Sequence, residues 1–276
     1  MPADAPDGVA PTGSATAPAD TVDAAPGELA TAAYARLAAG NRREAVRLFD
    51  AALAGDDPRA AAWQAERDRL TRRWSASAYS IIRARGDPGL ADRPLLGGGQ
   101  SGAQLAFTPA PLAPRPLSLT VRGSAAHDDG GRSGFIATGL QWRPFTGVTL
   151  AAERLFPVGP AARGAWELRL AGGGERGVGW LHLTGYGEGG VIGSAPYAAV
   201  QARAAASFDL RHVRIEPGGG VWAAWQHDRT SVDRVDVGPG VAAYAGPFAV
   251  EADYRFRIAG NAAPASGPVL TLSAAF

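Results

Sequence analysis

Cysteine is absent from this chain of 276 residues. That removes thiolate catalysis, disulfides and Cys-ligated zinc, and it agrees with transit through an oxidising compartment, although many cytosolic proteins also lack the residue. An excess of either charge is missing too. Lys+Arg 27 stand against Asp+Glu 26, so no basic surface for nucleic acid is expected. No stretch is apolar for the roughly eighteen residues that a membrane-spanning helix needs. The opening segment, MPADAPDGVAPTGSATAPADTVDAAP, lacks the basic start and apolar middle of a signal peptide. Residues 1–26 read as a disordered Pro/Ala-rich segment. Either the start is truncated, the expectation adopted here, or the protein is soluble.

Catalytic signals are equally sparse. The histidines His127, His182, His212 and His227 show no accompanying serine and no recurring metal-ligand spacing. The Gly-rich runs lack the lysine and helix of a phosphate loop. No catalytic, cofactor or metal site is expected, and the chain is not read as an enzyme. His182 reads as interior filler and His227-Asp228 as a solvent-facing pair at a turn.

Glycine, at 37 residues, is abundant, and from Gly97 onward it accompanies aromatics and alternating apolar residues, as in many-stranded antiparallel proteins. Before that point the period is helical. Leu29, Ala32, Ala33 and Leu37, then Ala45, Leu48, Phe49, Ala52 and Leu53, recur at spacings of three and four, which predicts two amphipathic helices punctuated at Gly40-Asn41. Gly40-Asn41, Ala45, Phe49, Ala52 and Pro58 resemble the second half of a tetratricopeptide repeat. A single repeat cannot bury its own face, so this part, residues 27–71, reads as a helical hairpin plus a third helix left from a longer solenoid. An ordinary helical hairpin is the alternative.

From residue 72 to 276 strands are expected. Candidates run over Trp74–Arg85, Ala103–Phe107, Leu117–Ala125, Phe135–Trp142, Val148–Phe156, Ala165–Ala171, Gly179–Gly187, Tyr197–Phe208, Val213–Trp225, Val235–Tyr244, Ala249–Ile258 and Val269–Phe276. Turn signals separate them at Asp128 to Gly131, Gly172-Gly173-Gly174, Asp228 to Thr230 and Gly260-Asn261. About twelve is an even number, as single-chain bacterial barrels require. The faces alternate. Val250, Ala252, Tyr254, Phe256 and Ile258 oppose Glu251, Asp253, Arg255 and Arg257, and Trp166, Leu168 and Leu170 oppose Glu167 and Arg169. Leu117, Leu119 and Val121 likewise oppose Ser118, Thr120 and Arg122. In a membrane barrel the charges line a wet lumen and the apolar set meets lipid; in a soluble sandwich the charges face water. Trp74, Trp142, Trp180, Tyr197 and Tyr244 lie near strand ends, where aromatic girdles sit. The expected fold is mainly β, an antiparallel up-and-down outer-membrane β-barrel of about 12 strands after a short helical segment. Leu270, Leu272 and Phe276 of the last strand are expected to close it against the first.

The run Leu95 to Gly102, the phrase AERLFPVGPAARGAWELRL over 152–170 and Val237 to Val241 resemble the C-terminal domain of the phage N-four adsorption protein A (NfrA) family. Ala152 to Phe156, with Gly159, Ala162, Arg163 and Trp166, is the most specific part. The resemblance implies periplasmic tetratricopeptide repeats joined to an outer-membrane barrel that serves exopolysaccharide export and is used by a phage as its receptor. It implies as partners outer-membrane lipid, polysaccharide, an inner-membrane glycosyltransferase and the barrel-assembly machinery, which would recognise the terminal Phe276. This chain departs from the family in its short repeat region and its missing signal peptide.

Glu153, Arg154, Arg163, Glu167, Arg169, Glu251, Asp253, Arg255 and Arg257 are the candidates for a polar network in the lumen. Glu153 and Arg154 occupy opposite faces of a regular strand, so one faces inward and the other lies at the rim or in a bulge. Arginines offer planar donors to acidic sugar groups, while an ion-pair ladder that plugs the barrel is the competing role. Alternative functions are an outer-membrane lipid-modifying enzyme, signalled by a Ser and a His converging at the barrel wall, or a soluble sandwich binding module.

Overall fold

The computed structural model describes residues 24–83, 99–127, 130–228 and 230–276. The chain divides between Asp68 and Arg69 into two compact units. Helices α1 (Pro26–Ala38), α2 (Arg42–Leu53) and α3 (Ala60–Thr71) come first. Pro26 opens α1, where its missing N–H costs nothing. Asn41 caps α2 by accepting from the Glu44 N–H at 3.3 Å. Leu29, Ala30 and Ala33 of α1 and Ala45, Val46, Leu48, Phe49 and Ala52 of α2 are buried, and Tyr34 meets Phe49 edge-on at 5.1 Å. Before α3, Arg59 donates to Asp57 at 2.9 Å, and that bond holds the Asp57 carboxyl below its ordinary pKa.

Thirteen strands follow among the described residues. They are β1 (Trp74–Arg83), β2 (Gln100–Phe107), β3 (Leu117–Ala126), β4 (Phe135–Phe145), β5 (Val148–Pro157), β6 (Ala165–Val178) and β7 (Leu181–Ile192), then β8 (Ala195–Ala206), β9 (Phe208–Leu210), β10 (Val213–His227), β11 (Ser231–Ala245), β12 (Phe248–Gly260) and β13 (Gly267–Ala275). Each pairs antiparallel with its neighbour in sequence, except that the short β9 folds back on β10 and leaves β8 to pair β10 directly. The other twelve close into a ring because β13 pairs β1. At that seam Phe276 and Ala76 exchange both backbone hydrogen bonds, at 2.8 and 3.1 Å. The strand count and the closing pair are those the sequence led us to expect.

Some boundaries differ. Gly172-Gly173-Gly174 is not a turn but the middle of β6, paired with Gly185, Tyr186 and Gly187 of β7. The turn follows at Gly179, whose φ of 60° suits a hairpin tip. Gly260 closes β12 and the connection runs over 261–266. Residues 84 and 85 of the first expected strand, 95–98 of the Gly-rich phrase, the turn residues Asp128, Asp129 and Arg229, and 1–23 of the N-terminal segment lie outside the described residues.

The barrel has two unlike ends. One carries the start of β1, the end of β13, the two-residue connections 146–147, 179–180 and 246–247, and the longer 108–116. The other carries 127–134, 158–164 and 261–266, together with the brief 193–194. We call these the turn end and the loop end. Because side chains alternate along every strand, the wall sorts them into two sets. Leu119, Val121, Leu140, Leu150, Leu168, Leu170, Val221 and Val250 point outward and are exposed, Leu168 at 65%. Trp74, Trp142, Phe145, Trp180, Phe208, Phe248 and Phe276 ring the turn end, and Phe156, Trp166, Trp225 and Phe256 stand outward toward the loop end. Tyr197 and Tyr244, expected in a girdle, instead share the inward alternation with Glu167-bonded and Arg214-stacked rings.

The seam register gives a direct test. Ser77 and Ala275 are paired without exchanging hydrogen bonds, the closer type of antiparallel pair. The double variant Ser77→Cys/Ala275→Cys should oxidise to a disulfide that speeds non-reducing gel migration. Failure to crosslink, with a folded barrel, would contradict the seam.

Candidate functional site

The inward alternation brings ionisable side chains from distant strands into one lumen. Glu153 of β5 and Glu167 of β6, both 0% exposed, lie against Arg122 of β3. Arg122 Nε donates to Glu153 at 2.7 Å and its other arm bonds Glu167. Thr120 Oγ1 donates to Glu153 at 3.2 Å and the Tyr197 hydroxyl to Glu167 at 2.6 Å. Arg169 lies 3.7 Å from Glu153 and 3.6 Å from Glu188, which also accepts from the Tyr186 hydroxyl at 2.9 Å. Charges so deeply buried persist only when paired and hydrogen-bonded.

A second group sits on the facing arc. Arg203 of β8 donates to Asp253 of β12 at 2.8 Å, a bond that spans β10 and β11 across the lumen. Arg203 also lies 3.7 Å from Glu251, and Arg255 donates to Asp253 at 3.4 Å. The Arg255 guanidinium stacks 4.1 Å from the Trp222 ring centroid. Nearer the turn end, Glu216 accepts from His182 or its tautomer at 3.0 Å and pairs with Arg214 at 3.1 Å.

At the loop end the 261–266 connection folds inward. Ala262, fully buried, packs against Ala199, Ala224 and Val232. Arg234, 2% exposed, holds this segment by donating to the carbonyls of Ala262, Pro264 and Ala265, and to Asp236 at 2.6 Å. Arg257 adds a bond to the Ala262 carbonyl at 2.7 Å, and Arg83 donates to Asp236 at 3.1 Å. The carbonyls of an inserted loop need donors inside the wall, and arginine supplies several at once. Between these clusters remains a cavity of about 380 Å³ lined by Tyr79, Tyr186, Gln100, Gln104, Gln201 and Thr271 with Arg122, Arg169, Arg255, Glu188 and Glu251.

Seven of the nine sequence-predicted network residues therefore meet in the lumen: Glu153, Glu167, Arg169, Glu251, Asp253, Arg255 and Arg257. Two do not. Arg154 points outward and stacks over Trp166 at 5.8 Å, because Glu153 takes the inward position of that strand. Arg163 is exposed in the 158–164 connection, where no strand directs it inward. Arg203, Arg234, Asp236 and Glu216 were missed as site residues. Arg203 sits in the alanine-rich strand Ala195–Ala206, whose two faces differ too little in polarity to display it. His182 is inward as expected. Two histidines do have serine partners, contrary to expectation: Ser101 Oγ lies 2.8 Å from His127 Nε2, and Ser231 Oγ lies 3.0 Å from His227 Nδ1. Ser101 and His127 are 26 positions apart in sequence and meet only through the β2–β3 register, so linear spacing could not show them. Among the described residues no group of His, Asp and Glu is placed to hold a metal ion.

No protein-family model and no curated protein matches the sequence. Similar solved structures include LpxR from Salmonella typhimurium, at 12% identity over 73% of this chain and 99% of that one, with a TM-score of 0.38. The β domain of the Bordetella autotransporter BrkA matches at 13% identity over 74% and 97%, with a TM-score of 0.37. Wzi of Escherichia coli, an outer-membrane carbohydrate-binding β-barrel involved in group 1 capsule assembly, matches at 8% identity over 86% and 91%, with a TM-score of 0.31.

Removing Glu153 leaves Arg122, among the described residues, with Glu167 as its one carboxylate and Arg169 with Glu188, so two buried guanidinium groups each lose a counter-charge. Glu153→Ala should destabilise the barrel by about 3 kcal/mol, measured as a lower urea midpoint for unfolding in detergent, whereas Arg163→Ala should leave the midpoint unchanged. Equal midpoints for wild type and Glu153→Ala would show that the network contributes nothing to stability.

Proposed function

We propose that this chain is a bacterial outer-membrane β-barrel whose lumen engages polysaccharide at the cell surface. The observation that carries the membrane reading is the outward face. Its strand midsections are apolar and exposed, aromatics flank them at both ends, and the charges are gathered inside. A soluble sandwich would bury the apolar set and wet the charged set; here the order is reversed, as a lipid solvent requires. We assign the turn end, where the hairpins 146–147, 179–180 and 246–247 lie, to the periplasm and the loop end to the exterior. The helical part, read as tetratricopeptide-like, is assigned to the periplasm, where it would meet an inner-membrane glycosyltransferase.

The saccharide reading rests on the cavity. Tyrosine rings, three glutamine amides, hydroxyls and guanidinium donors surround a space walled by charge pairs of both signs. Such a lining replaces the many hydrogen bonds that a hydrated sugar makes with water. The likeness to the NfrA C-terminal domain supports the same role, exopolysaccharide export, with phage adsorption as a second use of the exterior loops. The inward segment 261–266 narrows the lumen, and Arg234 is its latch.

In membrane fractions the folded protein should migrate faster on gels before boiling than after it. A soluble protein with one mobility would overturn the membrane reading. Deleting the gene should reduce secreted polymer several-fold; unchanged polymer would overturn the export role while leaving the barrel intact. Arg234→Ala should free the inserted segment and raise liposome permeability to small sugars several-fold over wild type. An unchanged swelling rate would show that 261–266 is not what blocks the lumen.

A further inference from the structure

On the outer wall near the loop end, Ser80 of β1 and Ser101 of β2 face each other across the strand pair, with their hydroxyl oxygens 3.0 Å apart. His127, one residue past β3, brings Nε2 to 2.8 Å from Ser101 Oγ. The ring is held in place. Its backbone N–H donates to the Gly99 carbonyl at 2.8 Å, and its Nδ1 lies where a side chain at 99 would begin, 2.8 Å from an added Cβ. Only glycine leaves that space open.

A second feature on the same outward face leads to this pair. Ala76 and Ala78 of β1 and Ala103 of β2 are small, and with Leu105, Val121 and Phe276 they form an apolar groove of about 440 Å³. Ala78 is paired with Ala103 and Ser80 with Ser101, so the serines stand one pleat repeat, about 7 Å, beyond the groove toward the loop end. Small side chains make a trough among large lipid-facing ones, and the trough ends at a nucleophile beside a base. A long apolar chain lying in the groove would place its polar terminus at Ser101.

We propose that Ser101 and His127 form a carboxylic-ester hydrolase site on the outer wall, with the groove holding the acyl chain of a membrane lipid. It rests on the membrane reading given above. Ser101 Oγ attacks the ester carbonyl carbon as its proton passes to His127 Nε2. The carbon–oxygen bond to the alcohol breaks, His127 returns that proton to the leaving oxygen, and the acyl group remains on Ser101. Water then attacks the acyl-enzyme, giving its proton to His127; the carbon–Oγ bond breaks, the carboxylic acid departs and Ser101 recovers its hydrogen. Gly99 is a positioning residue that acts through the imidazole.

The experiment uses the full chain in detergent micelles, with gel mobility before and after boiling as the check that each variant is folded. A fluorophosphonate probe should label Ser101, identified by peptide mass spectrometry. Fatty acid should be released from either a diacyl glycerophospholipid or an acylated glycolipid, and the arm that yields it names the source. Ser101→Ala and His127→Ala should each lower release about a thousandfold. Ser231→Ala, which touches only the other histidine–serine pair, should release as wild type does. Ala103→Phe should lower the ratio of long-chain to short-chain ester hydrolysis about tenfold by filling the groove. Gly99→Ala should slow the reaction and weaken probe labelling together. A folded, heat-modifiable wild type that releases fatty acid from neither lipid would overturn the hydrolase and leave the membrane reading standing; a wild type that is not heat-modifiable would remove the membrane reading itself.

Discussion

Every other property of the barrel depends on the hydrogen-bonded seam between β1 and β13. An open twelve-strand sheet would present two rows of unpaired N–H and C=O groups, which neither lipid nor an apolar interior can satisfy. Pairing Ser77–Arg83 with Val269–Ala275, and Ala76 with Phe276, removes both edges at once. Closure then forces the alternation of the strands to mean inside and outside, and so decides which residues can form a site.

The inside is small for the charge it carries. Arginines on β1, β3 and β8 reach carboxylates two or three strands away, which ties non-neighbouring strands of the wall together. A barrel of about this strand number lies between those filled by side chains and those that leave an aqueous channel. This one divides its lumen accordingly. Ion pairs and the inserted 261–266 segment fill part, and a polar cavity remains between them. The same bonds that stiffen the wall therefore set the size of the space offered to a ligand.

The strands with contrasting faces were legible in the sequence. Phe248–Gly260 alternates charge with apolar bulk, so both its existence and its inward residues could be read. Ala195–Ala206 and the glycine-rich middle of β6 could not be read so well, since alanine and glycine look alike on either face; Arg203 and the true turn at Gly179 were lost for that reason. The two inward tyrosines show a different limit. Being near a strand end does not fix which side of the wall a residue takes, and the parity of the closed register does. Contacts between strands, such as Ser101 with His127 or Arg203 with Asp253, depend on register around the ring and have no linear signature.

The central claim is that the outward set meets lipid while the inward set meets a polar lumen. The absence of native cysteine allows single spin labels to be placed along β3 and β12 of the protein in bilayers. Labels replacing Leu119, Val121, Val250 and Ala252 should collide mainly with dissolved oxygen, and those replacing Thr120, Ser124, Glu251 and Arg257 mainly with a water-soluble nickel complex or with neither reagent. Oxygen and nickel accessibilities that fail to alternate with residue parity, or that alternate in the opposite sense, would contradict the account.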